Sequence, residues 1–452
     1  MSPATAQRNL LDNRAVSAVV RSRWYPAVLQ VPVAMVFGLV AHQLLPGPAR
    51  ADDNAGTALM WVLWWPLVPV TFLLVGRFWC AVCPFATLSD LVQKWVGVNR
   101  PVPRFLKVYG IWVIDASFIA ITWADHVWGI VGSPWGSGVL LLMLTTAVIV
   151  SGAFFQRRTF CRYLCFLGGL SGNYARAGMV QLRADPDICA TCTSRAACYN
   201  GTDTTPACPL FTFPRTMDSM ASCNLCASCI KSCPRDAIQL TLRPPGRELW
   251  LVGRARIEES FLAMAIMGIV LIQNVTMLGL WQDLLDWIAV HTGITSHTVV
   301  FTLAFVVAVS LPVGVLLAAS WAAAPASRET VRQNFARFGY ALIPLDVAAH
   351  LAHNLFHLLA EGATAVGTVA RVFGASGPGA GAVAGPGTIQ LLQYVVLGLG
   401  AALSIHTARR IGEARHGRTA RARTVVRPVV AVVLLFTVVN AVLFALPMAH
   451  RI

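Results

Sequence analysis

Long apolar stretches recur along the whole chain, and they limit the folds that it can adopt. Of its 452 residues, 56% are hydrophobic and only 12% are charged, whereas soluble domains carry about 25% charged residues. An apolar run of about 20 residues can span the hydrocarbon core of a bilayer as a helix. Such runs lie at about 25–45, 57–79, 108–130, 138–156, 260–280, 298–320, 336–360, 389–408 and 427–447. The sequence therefore predicts an all-α polytopic membrane protein with about nine transmembrane helices.

The basic residues are concentrated in alternate connecting segments. Of the 35 Lys and Arg residues, 32 lie in segments 1–24, 77–107, 157–258, 322–340 and 409–427. Basic residues favour cytoplasmic loops, so we expect a multi-pass protein of a bacterial inner membrane with its N-terminus and these segments in the cytoplasm. The net charge of +15 follows from this bias and does not indicate nucleic-acid binding. Ala49-Arg50-Ala51 resembles a signal-peptidase site, but the preceding apolar run is long for a signal peptide, so we expect a retained first helix.

Eight of the twelve cysteines lie between residues 189 and 233, inside a polar insertion between predicted spans. Their second run reads Cys223-x2-Cys226-x2-Cys229-x3-Cys233-Pro234, which is the spacing of bacterial [4Fe–4S] ferredoxins. Zinc sites usually pair two C-x2-C motifs and do not need this third cysteine. The cytoplasm is reducing, so the thiols stay available for metal. We therefore expect an inserted α+β, two-cluster ferredoxin-like domain over residues 180–245.

The first cysteine run is less regular and reads Cys189-x2-Cys192-x5-Cys198-x9-Cys208-Pro209. In two-cluster ferredoxins, the fourth cysteine of each run ligates the cluster of the other run. This crossed assignment gives one [4Fe–4S] cluster to Cys208, Cys223, Cys226 and Cys229, and a second to Cys189, Cys192, Cys198 and Cys233. A self-contained site of Cys189, Cys192, Cys198 and Cys208 is the alternative. The insertion carries no nicotinamide or flavin motif, so electrons must arrive from another protein.

Two further cysteine pairs lie at the inner ends of predicted spans. The second span ends in Gly76-Arg-Phe-Trp-Cys80-Ala-Val-Cys83-Pro84, and the fourth ends in Arg158-Thr-Phe-Cys161-Arg-Tyr-Leu-Cys165. The repetition predicts two related halves whose four thiolates converge on one metal centre. A third iron–sulfur cluster is the first interpretation. A redox disulfide or copper site, and free cysteines packed in apolar surroundings, are the alternatives.

These paired motifs, followed by the ferredoxin-like insertion, resemble the membrane-bound polyferredoxins of the NapH, CcoG and NosR C-terminal type. The resemblance covers about residues 57–245. It implies electron transfer between cytoplasmic donors, quinone and periplasmic or membrane reductases. The half of the chain after about residue 260 is similar to the FesM-like membrane ferredoxins, which are implicated in cyclic electron flow.

The seventh predicted span carries a stripe of ionisable residues, namely Asp346, His350, His353, His357 and Glu361. At 100° per residue they fall within about 80° of one another. Ionisable residues are costly inside a membrane, so such a stripe usually faces a cavity, a cofactor or a proton path. One interpretation is a quinone site in which histidine and carboxylate relay protons. The others are a haem b or another metal, with His42 or His126 as the second haem ligand, and polar packing between helices.

The sequence thus predicts a cytoplasmic N-terminal segment (1–24), a four-helix membrane region with the cysteine pairs (25–179), the ferredoxin-like domain (180–245) and a five-helix membrane region (246–452). We expect an electron-transfer protein, either a ferredoxin:quinone-type oxidoreductase or an electron-transfer subunit. It would pass electrons between a ferredoxin- or flavodoxin-like donor and a quinone or haem. A copper-reducing or transport protein and a redox-sensing regulator are the rival functions. Basic residues around the insertion would dock an acidic donor or only reflect the positive-inside bias; they are Arg157, Arg158, Arg162, Arg176, Arg247, Arg254 and Arg256.

Overall fold

The computed structural model describes residues 8–194, 197–251, 253, 255–375 and 381–448. These residues divide into two compact units. Unit 1 takes its described residues from 1–38, 70–114 and 143–248, and unit 2 takes its own from 39–69, 115–142 and 249–452. All twelve cysteines belong to unit 1, and the predicted histidine stripe belongs to unit 2.

The described part of the chain before the insertion is mostly helical. A π-helix, Ala58–Trp64, joins the third and fourth α-helices, and a 3₁₀ turn, Gly76–Phe78, follows the fourth. The α-helices are α1 (Arg14–Arg21), α2 (Ala27–Leu44), α3 (Ala55–Thr57), α4 (Trp65–Val75), α5 (Trp79–Val82), α6 (Pro84–Val96), α7 (Arg104–Trp128), α8 (Pro134–Phe154), α9 (Thr159–Tyr163) and α10 (Phe166–Ala177).

The insertion contains a small antiparallel sheet. Its elements are β1 (Val180–Ala184), α11 (Pro186–Ala190), α12 (Ala197–Asn200), α13 (Ser228–Ser232) and β2 (Ile238–Leu242). Leu182 of β1 lies opposite Leu240 of β2, and Ala184 lies opposite Ile238. The buried side chains of Leu182 and Ile238 belong to one apolar cluster with Ile230 of α13. The sheet therefore places the start and the end of the cysteine-rich segment side by side.

The chain after the insertion is again helical. Its helices are α14 (Ile257–Thr276), α15 (Gly279–Thr292), α16 (His297–Ser327), α17 (Val331–Ala360), α18 (Gly362–Val372), α19 (Pro386–His416) and α20 (Ala420–Ala445). A capping box starts α17, because Thr330 accepts a hydrogen bond from the Gln333 N–H and the Gln333 side chain bonds back to the Thr330 backbone.

Eight helical stretches of the described residues are long and apolar enough to cross a membrane. They are Ala27–Leu44, Ala55–Val96, Arg104–Trp128, Pro134–Phe154, Ile257–Thr276, His297–Ser327, Pro386–His416 and Ala420–Ala445. The prediction of a mostly helical, multi-pass membrane protein is confirmed at this level. The predicted span at 336–360 falls within α17, whose 30 residues are long enough but which carries the polar stripe. That stripe lowers its mean hydropathy relative to a purely apolar helix.

Candidate functional site

Four thiols of the insertion line one cleft of unit 1. Cys208, from the first cysteine run, lies there beside Cys223, Cys226 and Cys229 of the second run. The cleft encloses about 370 Å³ of space, part of which is open to solvent. Burial raises the pKa of the Cys223 thiol to about 12, and the nearby Cys226 and Cys208 thiolates contribute to the rise. These four sulfurs are therefore close enough to repel one another when ionised.

The other four thiols of the insertion are also mutual neighbours. Burial raises the pKa of Cys198 to about 11, with contributions from Cys233, Cys189 and Cys192. Burial and the same neighbours, Cys233 and Cys192, raise the pKa of Cys189. Cys233 thus lies among the cysteines of the first run, as Cys208 lies among those of the second. The structure brings together the two sets that the crossed assignment names.

The two cysteines of the insertion that precede proline share one local geometry. In each case the third residue after the cysteine has a positive φ, of 54° or 49°, and the N–H of the fourth residue donates to the cysteine sulfur at 3.4 or 3.3 Å. A left-handed backbone costs roughly 1–2 kcal/mol for a residue with a side chain, so its recurrence indicates a constraint at the sulfur. Hydrogen bonds to sulfur also help to set iron–sulfur reduction potentials. The residues are Cys208, Phe211 and Thr212 in one run, and Cys233, Asp236 and Ala237 in the other.

The loop between Cys223 and Cys229 is held in an unusual conformation. Leu225 and Ala227 both have positive φ values, 57° and 63°. The Tyr25 hydroxyl donates to the Leu225 carbonyl at 2.9 Å, so a residue near the N-terminus fixes this turn. Strained backbone of this kind is concentrated at functional sites.

Buried Glu248 fixes the turn that leads into Cys223. Its carboxylate accepts hydrogen bonds from the Met220 N–H at 2.9 Å and the Ser219 hydroxyl at 2.5 Å, and it pairs with Arg243. Glu248 is only 3% exposed, and a buried carboxylate is stable only when it is paired in this way.

Two buried arginines connect the membrane cysteine motifs reciprocally. Arg158, three residues before Cys161, donates from Nη1 to the Cys80 carbonyl at 3.1 Å. Arg77, three residues before Cys80, donates from Nη2 to the Cys161 carbonyl at 3.3 Å and from Nη1 to the Ala221 carbonyl at 2.6 Å. Each motif therefore anchors the first cysteine of the other, and Arg77 also reaches the insertion.

The four membrane-motif thiols converge in this arrangement. Burial raises the pKa of Cys165 well above its ordinary value, with contributions from Cys161, Cys83 and Cys80. Burial raises the pKa of Cys161 to about 11, although the Arg158 cation acts in the opposite direction. Cys83 and Cys165 are the N-cap residues of α6 and α10. The positive end of each helix dipole thus faces a sulfur, which favours thiolate and an anionic cluster.

The docking role expected of the basic residues around the insertion is wrong for two of them. Arg158 is buried and makes a bidentate ion pair with Asp90, at 3.0 Å from Nε and 2.5 Å from Nη2. Arg176 is also buried and lies 3.9 Å from the Glu248 carboxylate. Neither side chain can therefore dock a donor protein. Arg254 lies outside the described residues.

In unit 2, α17 buries the whole polar stripe. Asp346, His350, His353, His357 and Glu361 are each at most 3% exposed. His353 Nδ1 lies 2.7 Å from the Asn274 amide oxygen of α14, and His357 Nδ1 lies 2.9 Å from the Glu361 carboxylate. These two contacts fix the orientation of both imidazole rings.

The two histidines considered as second haem ligands have distinct surroundings in unit 2. His42 is exposed, and His126 stacks on Phe301 with ring centroids 5.0 Å apart. Within the described residues, α17 packs mainly against α14, α16, α18, α19, α20 and the 58–64 π-helix. Trp65 is an aromatic neighbour of His350, at 5.9 Å between ring centroids.

No three His, Cys, Asp or Glu side chains among the described residues are arranged to hold a single metal ion. All ligands of one ion must reach the same atom, whereas the four cysteines of a [4Fe–4S] cluster each bind a different iron. Four thiols spread around one cleft are compatible with the second arrangement.

Several positioning residues were not predicted from the sequence. The arginine three residues before the first cysteine in both membrane motifs is a signal that could have revealed Arg77 and Arg158. Asn274 has no such signal, because its role depends on the packing of α14 against α17.

Comparison with known proteins supports an iron–sulfur function. A family model described as a 4Fe-4S binding domain matches residues 57–103 and 137–181. The first match contains Cys80 and Cys83, and the second contains Cys161 and Cys165, whereas the cysteines of the insertion lie outside both. The matches therefore support [4Fe–4S] binding by this chain and do not by themselves assign clusters to the insertion.

The Escherichia coli (strain K12) protein YccM, which is named for electron transport, is 26% identical over 226 residues. The match covers 45% of this chain and 60% of YccM, so the chain spans less than two thirds of that relative. No solved structure matches the chain. Together, the findings support a membrane-type iron–sulfur electron transport protein. The resemblance to the NapH, CcoG and NosR type stays a prediction.

Proposed function

We propose that this protein passes electrons between a soluble cytoplasmic donor and a quinone or haem acceptor in the membrane. The observation that carries the proposal is the cleft in which Cys208 joins Cys223, Cys226 and Cys229. Cysteines from two separate runs meet there, and crossed ligation in a two-cluster ferredoxin requires such a meeting. A [4Fe–4S] cluster, when bound, supplies one-electron transfer.

The residues around these thiols suit an electron carrier. The N–H groups of Thr212 and Ala237 donate to the sulfurs of Cys208 and Cys233, which would stabilise the reduced, more negative state of each cluster. The partly buried side chain of Leu225 packs in the same apolar cluster as Cys223 and limits the access of water. We assign the first cluster to Cys208, Cys223, Cys226 and Cys229, and the second to Cys189, Cys192, Cys198 and Cys233.

The membrane cysteine pairs would hold a third centre. Cys80, Cys83, Cys161 and Cys165 supply four thiolates, the usual number for one [4Fe–4S] cluster. Arg77 and Arg158 place two buried positive charges beside them, and two helix N-termini point at Cys83 and Cys165. These features offset the negative charge that four thiolates would bring into a buried site.

The acceptor is assigned to α17. His353 Nδ1 lies beside the Asn274 amide oxygen and His357 Nδ1 beside the Glu361 carboxylate. With the proton on Nδ1, Nε2 of either ring would be the nitrogen that ligates haem iron or accepts a hydrogen bond from a quinol. The Glu361 carboxylate orients His357, as carboxylates commonly orient histidine ligands.

The first test is the composition of anaerobically purified protein. We expect about eight iron and eight sulfide per chain from the insertion, and about twelve of each if the membrane cysteines also hold a cluster. Electron paramagnetic resonance of the reduced protein should show interacting [4Fe–4S] signals. Stoichiometric zinc without inorganic sulfide would contradict the proposal.

The second test concerns the acceptor. His353→Ala should abolish electron transfer from a reduced ferredoxin to a quinone analogue in proteoliposomes, or remove the haem absorption bands, while the iron content stays unchanged. His406→Ala is the matched control, because His406 is exposed and packs against Trp250 away from the stripe. If His353→Ala retains both the electron transfer to the quinone analogue and the haem absorption bands, α17 does not hold the acceptor.

A further inference from the structure

We propose that Arg157 and Arg162 dock an acidic, soluble electron carrier beside the cleft that contains Cys208. We call these two residues the arginine pair. The inference rests on the proposed electron transfer, because it names the surface at which the donor of that function binds. Its basis is the stacking of both guanidiniums on Phe211, their charge and their position next to a predicted cluster ligand.

Both guanidiniums of the arginine pair stack on one aromatic ring. The Cζ atom of Arg157 lies 4.4 Å from the centroid of the Phe211 ring, and that of Arg162 lies 4.2 Å from it. Arg162 also lies 4.7 Å from the centroid of the Tyr163 ring and donates from Nη2 to the Tyr163 hydroxyl at 2.8 Å. Cations are attracted to the faces of aromatic rings. These contacts therefore order two long side chains before a partner binds, which lowers the entropy cost of binding.

The charges of the arginine pair are not neutralised by carboxylates of the described residues. Arg158, which lies between them in the chain, differs because it pairs with Asp90. Burial lowers the pKa of Arg162, and the like charge of Arg157 acts in the same direction. Two neighbouring cations repel each other, so both would attract a carboxylate that another molecule places beside them.

The arginine pair lies next to Cys208, a predicted ligand of the first cluster. Phe211 is the third residue after Cys208, in the turn whose Thr212 N–H donates to the Cys208 sulfur at 3.4 Å. Both arginines also interact electrostatically with the Cys208 thiolate. A carrier bound to the pair would therefore lie close to this cysteine, which is where an electron donor needs to bind.

Half-buried aromatic side chains of the insertion extend this surface. The ring of Tyr199 meets those of Phe211 and Phe213 edge to face, with centroids 6.3 and 6.0 Å apart. Arginine and aromatic residues are enriched in protein interfaces and supply much of the binding energy there. Anionic lipid headgroups are attracted by basic residues alone. The aromatic residues belong to the polar insertion, which favours a soluble protein over a lipid as the occupant.

The insertion itself offers little net charge for recognition. Residues 180–245 contain six basic and five acidic residues. Attraction of an acidic carrier to the Cys208 cleft then depends on basic residues outside the insertion. Among those in the preceding segment, Arg158 and Arg176 are buried, whereas the arginine pair is only half-buried and lies at the cleft. Such charge complementarity mainly sets the association rate and the choice of partner.

The test measures the binding of two acidic probes, a plant-type [2Fe–2S] ferredoxin and a flavodoxin, to the full-length protein in phosphatidylcholine nanodiscs. We expect at least one probe to bind, with an affinity that falls as salt is raised. Arg157→Gln/Arg162→Gln should raise the Kd for that probe at least about tenfold and flatten its salt dependence. Arg157→Lys/Arg162→Lys should retain part of the affinity, because the charges remain but the planar stacking is lost.

Arg104→Gln/Lys107→Gln is the matched control, because it removes two positive charges from exposed positions of α7. Its Kd should equal that of the wild type. If the Arg157→Gln/Arg162→Gln variant does not fold, Arg157→Gln alone serves instead and should raise the Kd at least about threefold. The inference is overturned if neither probe binds, if the folded variant binds as tightly as the wild type, or if the control loses as much affinity.

Two other roles of the arginine pair are distinguished on the same samples. If the pair only compensates cluster charge, its replacement by glutamine lowers the reduction potentials in a titration followed by electron paramagnetic resonance and leaves the Kd unchanged. If the pair binds lipid headgroups, phosphatidylglycerol in the nanodiscs abolishes probe binding to the wild type. Either result would contradict docking. Dithionite-driven reduction of a quinone analogue needs no carrier, so it recognises a failure of the electron-transfer proposal separately.

Discussion

Cys208 shows how a single residue can be placed by sequence spacing alone. It is the fourth cysteine of the first run and precedes a proline, so crossed ligation assigns it to the cluster held by the second run. The structure places it in the cleft of Cys223, Cys226 and Cys229. Ligand sets of this kind can be predicted from the sequence because they depend on short spacings between cysteines. The assignment itself stays a prediction until it is tested by substitution.

Substitution of Cys208 and Cys223 separates the crossed assignment from the self-contained one. With crossed ligation, both residues bind the same cluster, so the Cys208→Ser/Cys223→Ser double variant should lose about four irons per chain, as each single variant does. With a self-contained site, the double variant should lose about eight. Iron analysis and electron paramagnetic resonance provide the measurement. Ser232→Ala, within the same segment and without a sulfur, should retain every cluster.

The contact that Arg158 makes with Cys80 was outside the reach of sequence reasoning, since it joins residues 78 positions apart. Arg158→Lys should remove the bidentate pair with Asp90 and the bond to the Cys80 carbonyl, because lysine lacks the planar fork of donors. We expect a destabilisation of about 2–3 kcal/mol and loss of the centre at the membrane cysteines, with the signals of the insertion intact. Thermal unfolding and iron content report the two effects. Arg104→Lys, at an exposed position, should change neither.

At the scale of elements, apolar runs predicted where helices lie but not how they are built. The predicted span 57–79 is divided among α3, a π-helix, α4 and a 3₁₀ turn, and Gly76 ends α4 with a φ of 60°. Hydropathy reports burial in lipid, whereas these breaks depend on local hydrogen bonding and on where Arg77 must point. The same limit explains α17, whose polar stripe was recognised but whose partner Asn274 was not.

Close helix packing around α17 depends on glycine at particular positions. A Cβ at Gly400 of α19 would lie 2.2 Å from the Ala348 Cβ of α17, whereas a Cβ at Gly398 would meet nothing within 4 Å. Gly400→Ala should therefore push the two helices apart and destabilise the protein by about 1–3 kcal/mol. Gly398→Ala, two residues away on the same helix, should be neutral. Thermal unfolding in detergent distinguishes them, and equal stability of the two variants would contradict the close approach.

For the whole molecule, the number of membrane crossings depends on α17. Eight apolar stretches alone would leave both chain ends on one side of the membrane, and α17 as a ninth crossing would place them on opposite sides. We expect nine, because the Tyr340–Glu361 segment matches the thickness of the hydrocarbon core. A C-terminal alkaline phosphatase fusion should then be active, and a C-terminal green fluorescent protein fusion should be dark. The reverse pattern would show that α17 does not cross the membrane.

The guanidinium of Arg77 joins the insertion to the membrane cysteine motifs, so the two parts cannot be exchanged independently. It donates both to Cys161, in a membrane motif, and to Ala221, just before the Cys223 loop. Excising the insertion as a stand-alone ferredoxin would remove the Ala221 carbonyl, which accepts a hydrogen bond from the buried Arg77 guanidinium. A foreign ferredoxin grafted in its place would have to supply an equivalent acceptor. Engineers who wish to exchange the electron-input module should therefore transplant the paired motifs at 76–84 and 158–165 together with it.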